Sequence, residues 1–345
     1  MMGGPLAAIF ERVTRLANRS PSLADLGHHH LQFCAAAGLR SRGLTVPPRL
    51  VDQERTAAIA ALTAPAVLAR VREAADGPLL LIKGPDVARY YPDPLMRDFR
   101  DLDVIVPDAA ATQRQLLAAG FVEVGDPELY EDIHHLRPLY APGLSLVVEV
   151  HHSAKWVDGV TPPGAVELIA AAVPAAAGVE GVLALPPAHH ALLLAAHAWA
   201  HRPLGRLGDL LDIALVAHHV RDAELDRLAR AWGLTRVWRT TARAIDALFG
   251  DGPRPLALAL WARHLAQVRE RTVLEAHLQS WLSPLWGLPR GPAVAATLEQ
   301  IRGDLLPDDG EDWRSKRGRV RAAVTNAFVR KSRHDEGLAS MREGG

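Results

Sequence analysis

Three short apolar runs in the middle of the chain constrain its fold more than any other feature. They read GPLLLIKG (77–84), DLDVIVP (101–107) and LSLVVEVHH (144–152). Runs of this length, rich in Leu, Val and Ile and bounded by turn residues, are typical of buried β-strands. Long stretches with apolar residues at helical spacing lie on both sides of them. The pattern predicts an α+β protein with a small mixed β-sheet.

The order of these patterns predicts a division of the chain into helical and mixed segments. We expect an N-terminal helical region over 1–75, an α/β core over 76–182, a C-terminal all-helical domain over 183–335 and a flexible tail over 336–345. Within the core, DAAATQRQLLAAG predicts a helix with Asp108 as its N-cap and Gly120 at its end. FVEV and HHLRPLY predict further short strands. After Pro162 and Pro163 we expect no more strands.

Composition excludes several classes of protein. Lys plus Arg and Asp plus Glu both number 39, so no global field favours nucleic acid or an anionic membrane. The one cysteine, Cys34, excludes an intramolecular disulfide. The first 20 residues do not resemble a signal peptide, and histidines interrupt the apolar run ALLLAAHAWAHR. We therefore expect a soluble cytoplasmic protein without a membrane span.

Carboxylates stand at the start of one predicted strand and near the end of another. Because alternate strand residues share a face, Asp101 and Asp103 project together while Leu102 turns to the core. Glu149 and His151 share a face in the same way. If the two strands are neighbours, three carboxylates converge, and their repulsion is relieved by a divalent cation. Oxygen ligands of this kind suit Mg²⁺ or Mn²⁺, and two such ions are the usual apparatus for attack on a phosphate.

The segment before these aspartates has features of a phosphate-binding loop. Gly84 follows a strand and opens a short helix, which lets backbone N–H groups approach a phosphate. Lys83, Arg97 and Arg100 supply positive charge nearby. A simpler interpretation remains open, in which Asp101 caps a turn and pairs with Arg97 or Arg100, and Glu149 is merely exposed.

The segment LLIKGPDVARYYPDPLMRDFRDLDVIVP resembles the KG…YP…R-x₃-D-x-D-x-x-V signature of the uncharacterised nucleotidyltransferases of the DNA polymerase β-like superfamily. VVEVHH is similar to that family's E-x-H strand. LLLAAHAWAHRPLGRLGDLLDIALVA is similar to its H-x₃-H helix followed by R-x₅-D-I-A, and LDRLARAWGLTRVWRTTARAIDALFG extends the resemblance. The similarity covers about residues 75–250.

This resemblance implies a nucleotidyltransferase core over 76–182 that uses an NTP and two metal ions, Mg²⁺ or Mn²⁺. It assigns catalysis and metal binding to Asp101, Asp103 and Glu149. Gly84 matches the phosphate loop, and Lys83 and Arg97 match positions typical of this family. Pro85 stands where the wider superfamily has Gly or Ser, which keeps open a catalytically inactive nucleotide-binding module.

A further set of polar residues is expected on the acceptor side of the cleft. Its members are carried by the histidine-rich segments and by the helix that follows them: His134, His151, His197, His201, Arg206 and Asp212. A zinc site of His190, His197 and His201 is an alternative, although the H-E-x-x-H pattern of zinc proteases is absent. The run His28-His29-His30 is expected at the surface.

The leading prediction is metal-dependent transfer of NMP from an NTP to a hydroxyl of a small molecule or a peptide. Phosphoryl transfer with the same residues is an alternative. A toxin-like tRNA nucleotidyltransferase is another, and its support is the basic run over 314–333. An RNA acceptor predicts strongly salt-dependent binding, whereas a small acceptor does not.

Overall fold

The structure is a computed structural model that describes residues 5–131, 133–308, 310–332 and 335. It confirms the α+β class, with helices before and after a seven-stranded sheet. The segment before the sheet forms the predicted helices, which are α1 (Pro5–Ala17), α2 (Leu23–His28), α3 (Gln32–Ser41) and α4 (Pro48–Ala74). No helix in the described part of the chain is long and apolar enough to cross a lipid bilayer.

The sheet is mixed and has the strand order β3-β4-β5-β2-β1-β7-β6. Its strands are β1 (Leu79–Leu81), β2 (Asp101–Ile105), β3 (Val122–Glu123), β4 (Leu139–Tyr140), β5 (Val147–His151), β6 (Val173–Pro174) and β7 (Val182–Ala184). Strand β2 runs parallel to β5 and antiparallel to β1, and β1 runs parallel to β7. The two carboxylate-bearing strands are therefore neighbours near the centre of the sheet, as the sequence argument required.

One face of this sheet is covered by helices and forms the core. Leu102 and Val104 of β2 and Val148 and Val150 of β5 are all fully buried. They pack in one cluster with residues of α4 and of α6 (Ala109–Ala118). Helix α6 begins as predicted, because the Asp108 side chain accepts a hydrogen bond from a backbone N–H in its first turn. Packing of the apolar residues on this face directs the alternate residues, Asp103 and Glu149 among them, to the opposite face.

Two strands lie where none was expected. The interpretation that strands end after Pro162 and Pro163 is wrong, because β6 and β7 follow and β7 pairs with β1. Strand β7 has only three residues, too few to show an alternating pattern, and β6 is exposed and contains a proline. Pairing of β7 with the buried β1, and of β6 with β7, makes these residues strands, rather than their local sequence.

The connection after β1 is short and bends sharply. Gly84 has φ +63° and ψ −128°, a conformation that is open to glycine and strained for other residues. A Cβ at this position would lie 3.4 Å from a methyl of Leu102 and 3.6 Å from the carbonyl oxygen of Asp101. Helix α5 (Pro85–Ala88) then begins with Pro85 at its first position, as predicted.

A short helix, α7 (Ala165–Ala170), lies between β5 and β6. The chain after β7 is helical, as expected. These helices are α8 (Pro187–His201), α9 (Leu207–Ala217), α10 (Asp222–Ala231), α11 (Thr235–Phe249), α12 (Leu256–Leu260), α13 (Arg263–Gln267), α14 (Val273–Leu282), α15 (Pro284–Gly287), α16 (Arg290–Leu305) and α17 (Trp313–Thr325). The predicted tail, 336–345, lies outside the described residues.

The chain forms two compact units, each built from separate segments. One contains 33–197 and 211–233, and it holds the whole sheet. The other contains 1–32, 198–210 and 234–345 and is helical. The domain boundaries proposed from the sequence stay a prediction. Within the helical unit, the expectation that the triple-histidine run lies at the surface is wrong for His29, which is fully buried.

Candidate active site

Asp103 and Glu149 lie directly opposite each other on the parallel strands β2 and β5. Their side chains leave the sheet on the face opposite the core. The Asp103 side chain is only 2% exposed, whereas that of Glu149 is 22% exposed. The pairing therefore places one buried carboxylate and one accessible carboxylate side by side.

Histidines surround these two carboxylates. The Nε2 atom of His151 lies 3.2 Å from Oδ1 of Asp103 and 3.6 Å from Oε2 of Glu149. His135 forms an isolated β-bridge with His151, and its Nε2 lies 3.8 Å from Oε2 of Glu149. The ring of His134 lies 5.2 Å from that of His151, between ring centres. These side chains enclose the carboxylates in polar groups that can donate or accept protons.

Asp103, Glu149 and His151 have the geometry expected of metal ligands. One ligand atom from each lies within 4.8 Å of the others, and no other set of three or more candidate ligands does so among the described residues. The buried Oδ2 of Asp103 and both ring nitrogens of His151 have no hydrogen-bond partner in that part of the chain. Unpartnered buried oxygens and nitrogens are costly, and a cation would satisfy them. Two carboxylates with one imidazole could together hold a divalent metal ion.

Asp101 and Asp103 have opposite electrostatic environments. Burial, together with the neighbouring carboxylates of Asp103 and Glu149, raises the pKa of Asp101 to about 6 against the lowering effect of Lys83 and Arg97. Burial also acts to raise the pKa of Asp103, but Lys83 and His151 hold it well below its usual value. The same contacts with Asp103 and Glu149 raise the pKa of His151 against burial. Of the two aspartates, Asp101 is therefore the one whose charged form its surroundings stabilise less.

Lys83 lies at the junction between this site and the loop at Gly84. Its Nζ is 3.4 Å from Oδ1 of Asp103 and 2.8 Å from Nε2 of His197 on α8. The Lys83 side chain is 20% exposed, so it is partly accessible to solvent. An accessible cation beside a glycine turn is suited to a phosphate group.

Comparison with protein families agrees with this geometry. A family model described as an uncharacterised nucleotidyltransferase matches residues 22–250, which is well over half of the chain. The chain belongs to this nucleotidyltransferase family. The curated proteins and the solved structures with which the chain was compared include none that matches it.

In this nucleotidyltransferase, Arg97 and Asp212 form a largely buried ion pair. The guanidinium of Arg97 donates to both oxygens of Asp212 at 2.9–3.0 Å, and the hydroxyl of Tyr91 donates to the same carboxylate at 2.7 Å. Arg97 also lies 3.4 Å from the carbonyl oxygen of Gly84. The pair thus ties the loop before β2 to helix α9. Arg100, by contrast, is largely exposed and lies 3.9 Å from Asp98.

Helix α8 contacts the segment around Gly84 at a second point. The Nε2 atom of His190 lies 2.8 Å from the carbonyl oxygen of Ile82, and its Nδ1 lies 3.6 Å from Oδ2 of Asp86. His190 and Asp86 are both fully buried. The sequence left a zinc site that includes His190 open as an alternative. The metal-ligand geometry of the described residues does not include His190, His197 or His201, and His190 serves the loop instead.

The remaining predicted site residues are divided between the two units. His134, His151, His197 and Asp212 belong to the unit with the sheet, and the ring of His134 lies 6.4 Å from that of His197. His201 and Arg206 belong to the helical unit. Sequence reasoning missed the ion pair of Arg97 with Asp212 and the contact of Lys83 with His197. Both join residues more than 100 positions apart, and no local pattern predicts such pairs.

Proposed function

We propose that this protein transfers a nucleoside monophosphate from an NTP to a hydroxyl group of an acceptor, in the cytoplasm. The observation that supports this most directly is the pairing of Asp103 with Glu149 on adjacent parallel strands, with Asp101 and His151 beside them. Membership of a nucleotidyltransferase family gives this carboxylate cluster a chemical role.

Two divalent ions, Mg²⁺ or Mn²⁺, would be held by Asp101, Asp103 and Glu149, with His151 as a nitrogen neighbour. Such ions neutralise phosphate charge and lower the pKa of a bound hydroxyl. The unpartnered Oδ2 of Asp103 and the raised pKa of Asp101 are consistent with this donor set.

The NTP would be oriented by the loop between β1 and α5. Lys83 is accessible on one side, and the positive φ of Gly84 lets the backbone approach a phosphate without a side chain in the way. Arg97 would act through the loop, because its guanidinium is occupied by Asp212 and lies near the carbonyl oxygen of Gly84. Arg100 is exposed and is free to turn toward an incoming triphosphate.

In the transfer step, the acceptor oxygen would attack the α-phosphorus of the NTP. A new P–O bond forms, the bond from the α-phosphorus to the bridging oxygen breaks, and pyrophosphate leaves. The hydroxyl proton passes to the accessible carboxylate of Glu149, which acts as the general base. Lys83 would offset charge that develops on the phosphate oxygens.

The acceptor would be a hydroxyl of a small molecule or of a peptide. His134, His151 and His197 supply hydrogen-bonding groups for such a ligand near the carboxylates. His201 and Arg206 stay predictions for the acceptor side. Three related activities are distinct outcomes of the test below: transfer of the γ-phosphoryl group, transfer to a tRNA end, and nucleotide binding without turnover.

The test uses each NTP labelled at either the α- or the γ-phosphate, with Mg²⁺ or Mn²⁺ and a lysate from the protein's own source. We expect α-label on an acceptor, and we expect none with Asp103→Asn. Asp52→Asn is the matched control, because Asp52 is exposed and forms an ion pair with Arg55 on the surface of α4. Transfer of γ-label would show a kinase instead. Metal-dependent NTP binding without transfer of either label would show an inactive module.

A further inference from the structure

Three segments of the helical unit are held together by hydrogen bonds around the buried His29. The N–H of Gly208 donates to the His29 carbonyl oxygen at 2.8 Å, and Nε2 of His29 donates to the carbonyl oxygen of Arg269 at 2.9 Å. Arg271 donates to the side-chain oxygen of Gln279, whose amide nitrogen donates to the carbonyl oxygen of Pro203. Residues 28–30, 202–208 and 269–271 are thereby brought to one place.

These segments bring together arginines that have no carboxylate partner. Arg202, Arg206 and Arg271 are all partly buried, and no carboxylate oxygen in the described ranges lies within 4 Å of their guanidinium nitrogens. The neighbouring Arg269 differs, because it donates to both oxygens of the buried Glu275 at 2.8 Å. Three guanidinium groups therefore share a partly dehydrated place without a direct ion pair, although Asp209 and Glu270 attract Arg202 from a greater distance. Glu270 also attracts Arg271.

The electrostatics of the same residues agree with this arrangement. Burial and the charge of Arg202 lower the pKa of Arg271 to about 10, and burial and Arg206 lower the pKa of Arg202. Burial lowers the pKa of His28, and all three arginines lower it further against the attraction of Glu270. Glu270 itself accepts hydrogen bonds from the backbone and the hydroxyl of Ser332.

A polar atom without a partner lies at this cluster. Nε2 of His28 is buried and has no hydrogen-bond partner among the described residues. The side chain of Arg202 lies against Gly205, where a Cβ would meet its methylene carbons at 2.8 Å. The positive charges of the three arginines repel one another, and a bound anion would offset that repulsion by attracting each of them.

We propose that Arg202, Arg206, Arg271 and His28 form a binding site for the phosphate group of a small ligand, such as pyrophosphate or a phosphate monoester. Guanidinium groups match tetrahedral phosphate oxygens with pairs of N–H donors, and an imidazole N–H adds another donor. The site belongs wholly to the helical unit, whereas Asp103 and Glu149 belong to the other unit. The proposal therefore does not depend on the transfer reaction.

Inorganic pyrophosphate is the probe, and its binding is measured by titration calorimetry in EDTA. The background is Asp101→Asn/Asp103→Asn, which removes the proposed metal ligands and leaves the arginine cluster intact. We expect Arg202→Gln and Arg271→Gln each to weaken pyrophosphate binding about tenfold or more, since each removes a charge-assisted pair of hydrogen bonds. Arg239→Gln is the matched control, because Arg239 is an exposed arginine of the same unit.

The proposal would be overturned if Arg202→Gln and Arg271→Gln bound pyrophosphate as tightly as the Arg239→Gln control. It would also be overturned if the background protein did not bind pyrophosphate. Arg202→Lys keeps the positive charge but loses the paired N–H donors of the guanidinium group, so it should bind pyrophosphate with intermediate affinity. This variant also tests the proposal if Arg271→Gln does not fold. A parallel titration uses a short oligouridine. If the variants weaken only the oligouridine, the ligand is an RNA backbone and the proposal is wrong. Neither outcome depends on transfer of label from an NTP.

Discussion

At the scale of single residues, Asp101 and Asp103 show how neighbours decide the state of a carboxyl group. Both stand on one face of β2, two positions apart. Asp103 has Lys83 and His151 within 3.4 Å, and its pKa falls. Asp101 lies near two other carboxylates, and its pKa rises to about 6. Alternation predicted that Asp101 and Asp103 share a face and, if the two strands are neighbours, that they converge with Glu149. It could not predict which aspartate is protonated first.

Asp101→Asn is expected to stabilise the protein in EDTA at pH 7 by about 1–2 kcal/mol. It removes a carboxylate whose ionisation at this pH lowers the stability of the folded state. The folded pKa of Asp101 is about 6 and the unfolded value is 3.8, so the folded state binds more protons between these values. The free energy of unfolding of the wild type should therefore fall as pH rises from about 4 to 6, and this contribution should be absent in the variant. Urea unfolding at several pH values measures it.

The control for this prediction is Asp52→Asn, which should leave the free energy of unfolding unchanged because its ion pair with Arg55 is exposed. If Asp101→Asn instead destabilised the protein, the attraction of Asp101 to Lys83 and Arg97 would outweigh its repulsion by Asp103 and Glu149.

His29 shows a second kind of neighbour effect, which local sequence does not reveal. Its Nε2 donates to the carbonyl oxygen of Arg269, and its Nδ1 faces the backbone N–H of Leu207 at 3.4 Å. Both contacts suit the neutral ring, and burial lowers the pKa of His29 to about 4. A run of three histidines gave no sign of this, since the partners come from segments about 180 and 240 positions away.

Acidification should destabilise the protein through His29. The unfolded state binds more protons than the folded state between pH 6.5 and about pH 4, so the free energy of unfolding should fall by about 3 kcal/mol as pH drops through that window. His29→Gln should show a shallower dependence on pH in urea unfolding. His218→Gln, at an exposed histidine, should follow the wild type. Parallel curves for wild type and His29→Gln would contradict this account.

At the scale of elements, predictability followed the strength of the local signal. β2 and β5 were predicted because each lies in an apolar run bounded by turn residues. Their parallel pairing places Asp103 beside Glu149. β6 and β7 were missed because they are short and are strands only through pairing, β7 with β1 and β6 with β7. The glycine turn and Pro85 were predicted correctly, since the conformation at Gly84 restricts the residue type.

The ion pair of Arg97 with Asp212 joins the loop before β2 to α9, and it supports a prediction at this scale. Asp212→Asn should destabilise the protein by about 3–5 kcal/mol, because it leaves the buried Arg97 charge without its partner. Arg97→Met/Asp212→Leu should recover most of the loss. Urea unfolding of the single and double variants measures this coupling.

The same double variant separates two roles of Arg97. If Arg97 only supports the loop, the affinity of the double variant for NTP should recover together with its stability. Recovered stability with lost NTP affinity would instead indicate that the Arg97 guanidinium contacts the phosphates, as the sequence analysis expected. Exposed Arg55→Met on α4 provides the control for a general effect of losing an arginine.

At the scale of the whole molecule, acidic and basic residues are equal in number but unevenly distributed along the chain. Acidic and basic residues both number 39. In the basic run, Arg319 pairs with Asp308 and Glu311, and Lys316 donates to the carbonyl oxygen of Gly303. Two of the cations that suggested RNA are therefore engaged within the protein. Linear sequence could not show this, nor could it show that each compact unit is assembled from separate segments.

This distribution of charge leads to a prediction about the acceptor. Raising salt from about 50 to 200 mM should change kcat/KM for the acceptor less than about threefold, because a small acceptor releases few counterions. Arg317→Gln/Arg321→Gln, which removes two exposed cations of α17, should leave kcat/KM unchanged. An RNA acceptor that contacts several phosphates would lose affinity by about a hundredfold or more over the same range, and the double variant would flatten that slope. A steep dependence of kcat/KM on salt that these substitutions reduce would therefore indicate that the acceptor is RNA rather than a small molecule or peptide. The proposed role of the carboxylates of β2 and β5 would stay the same.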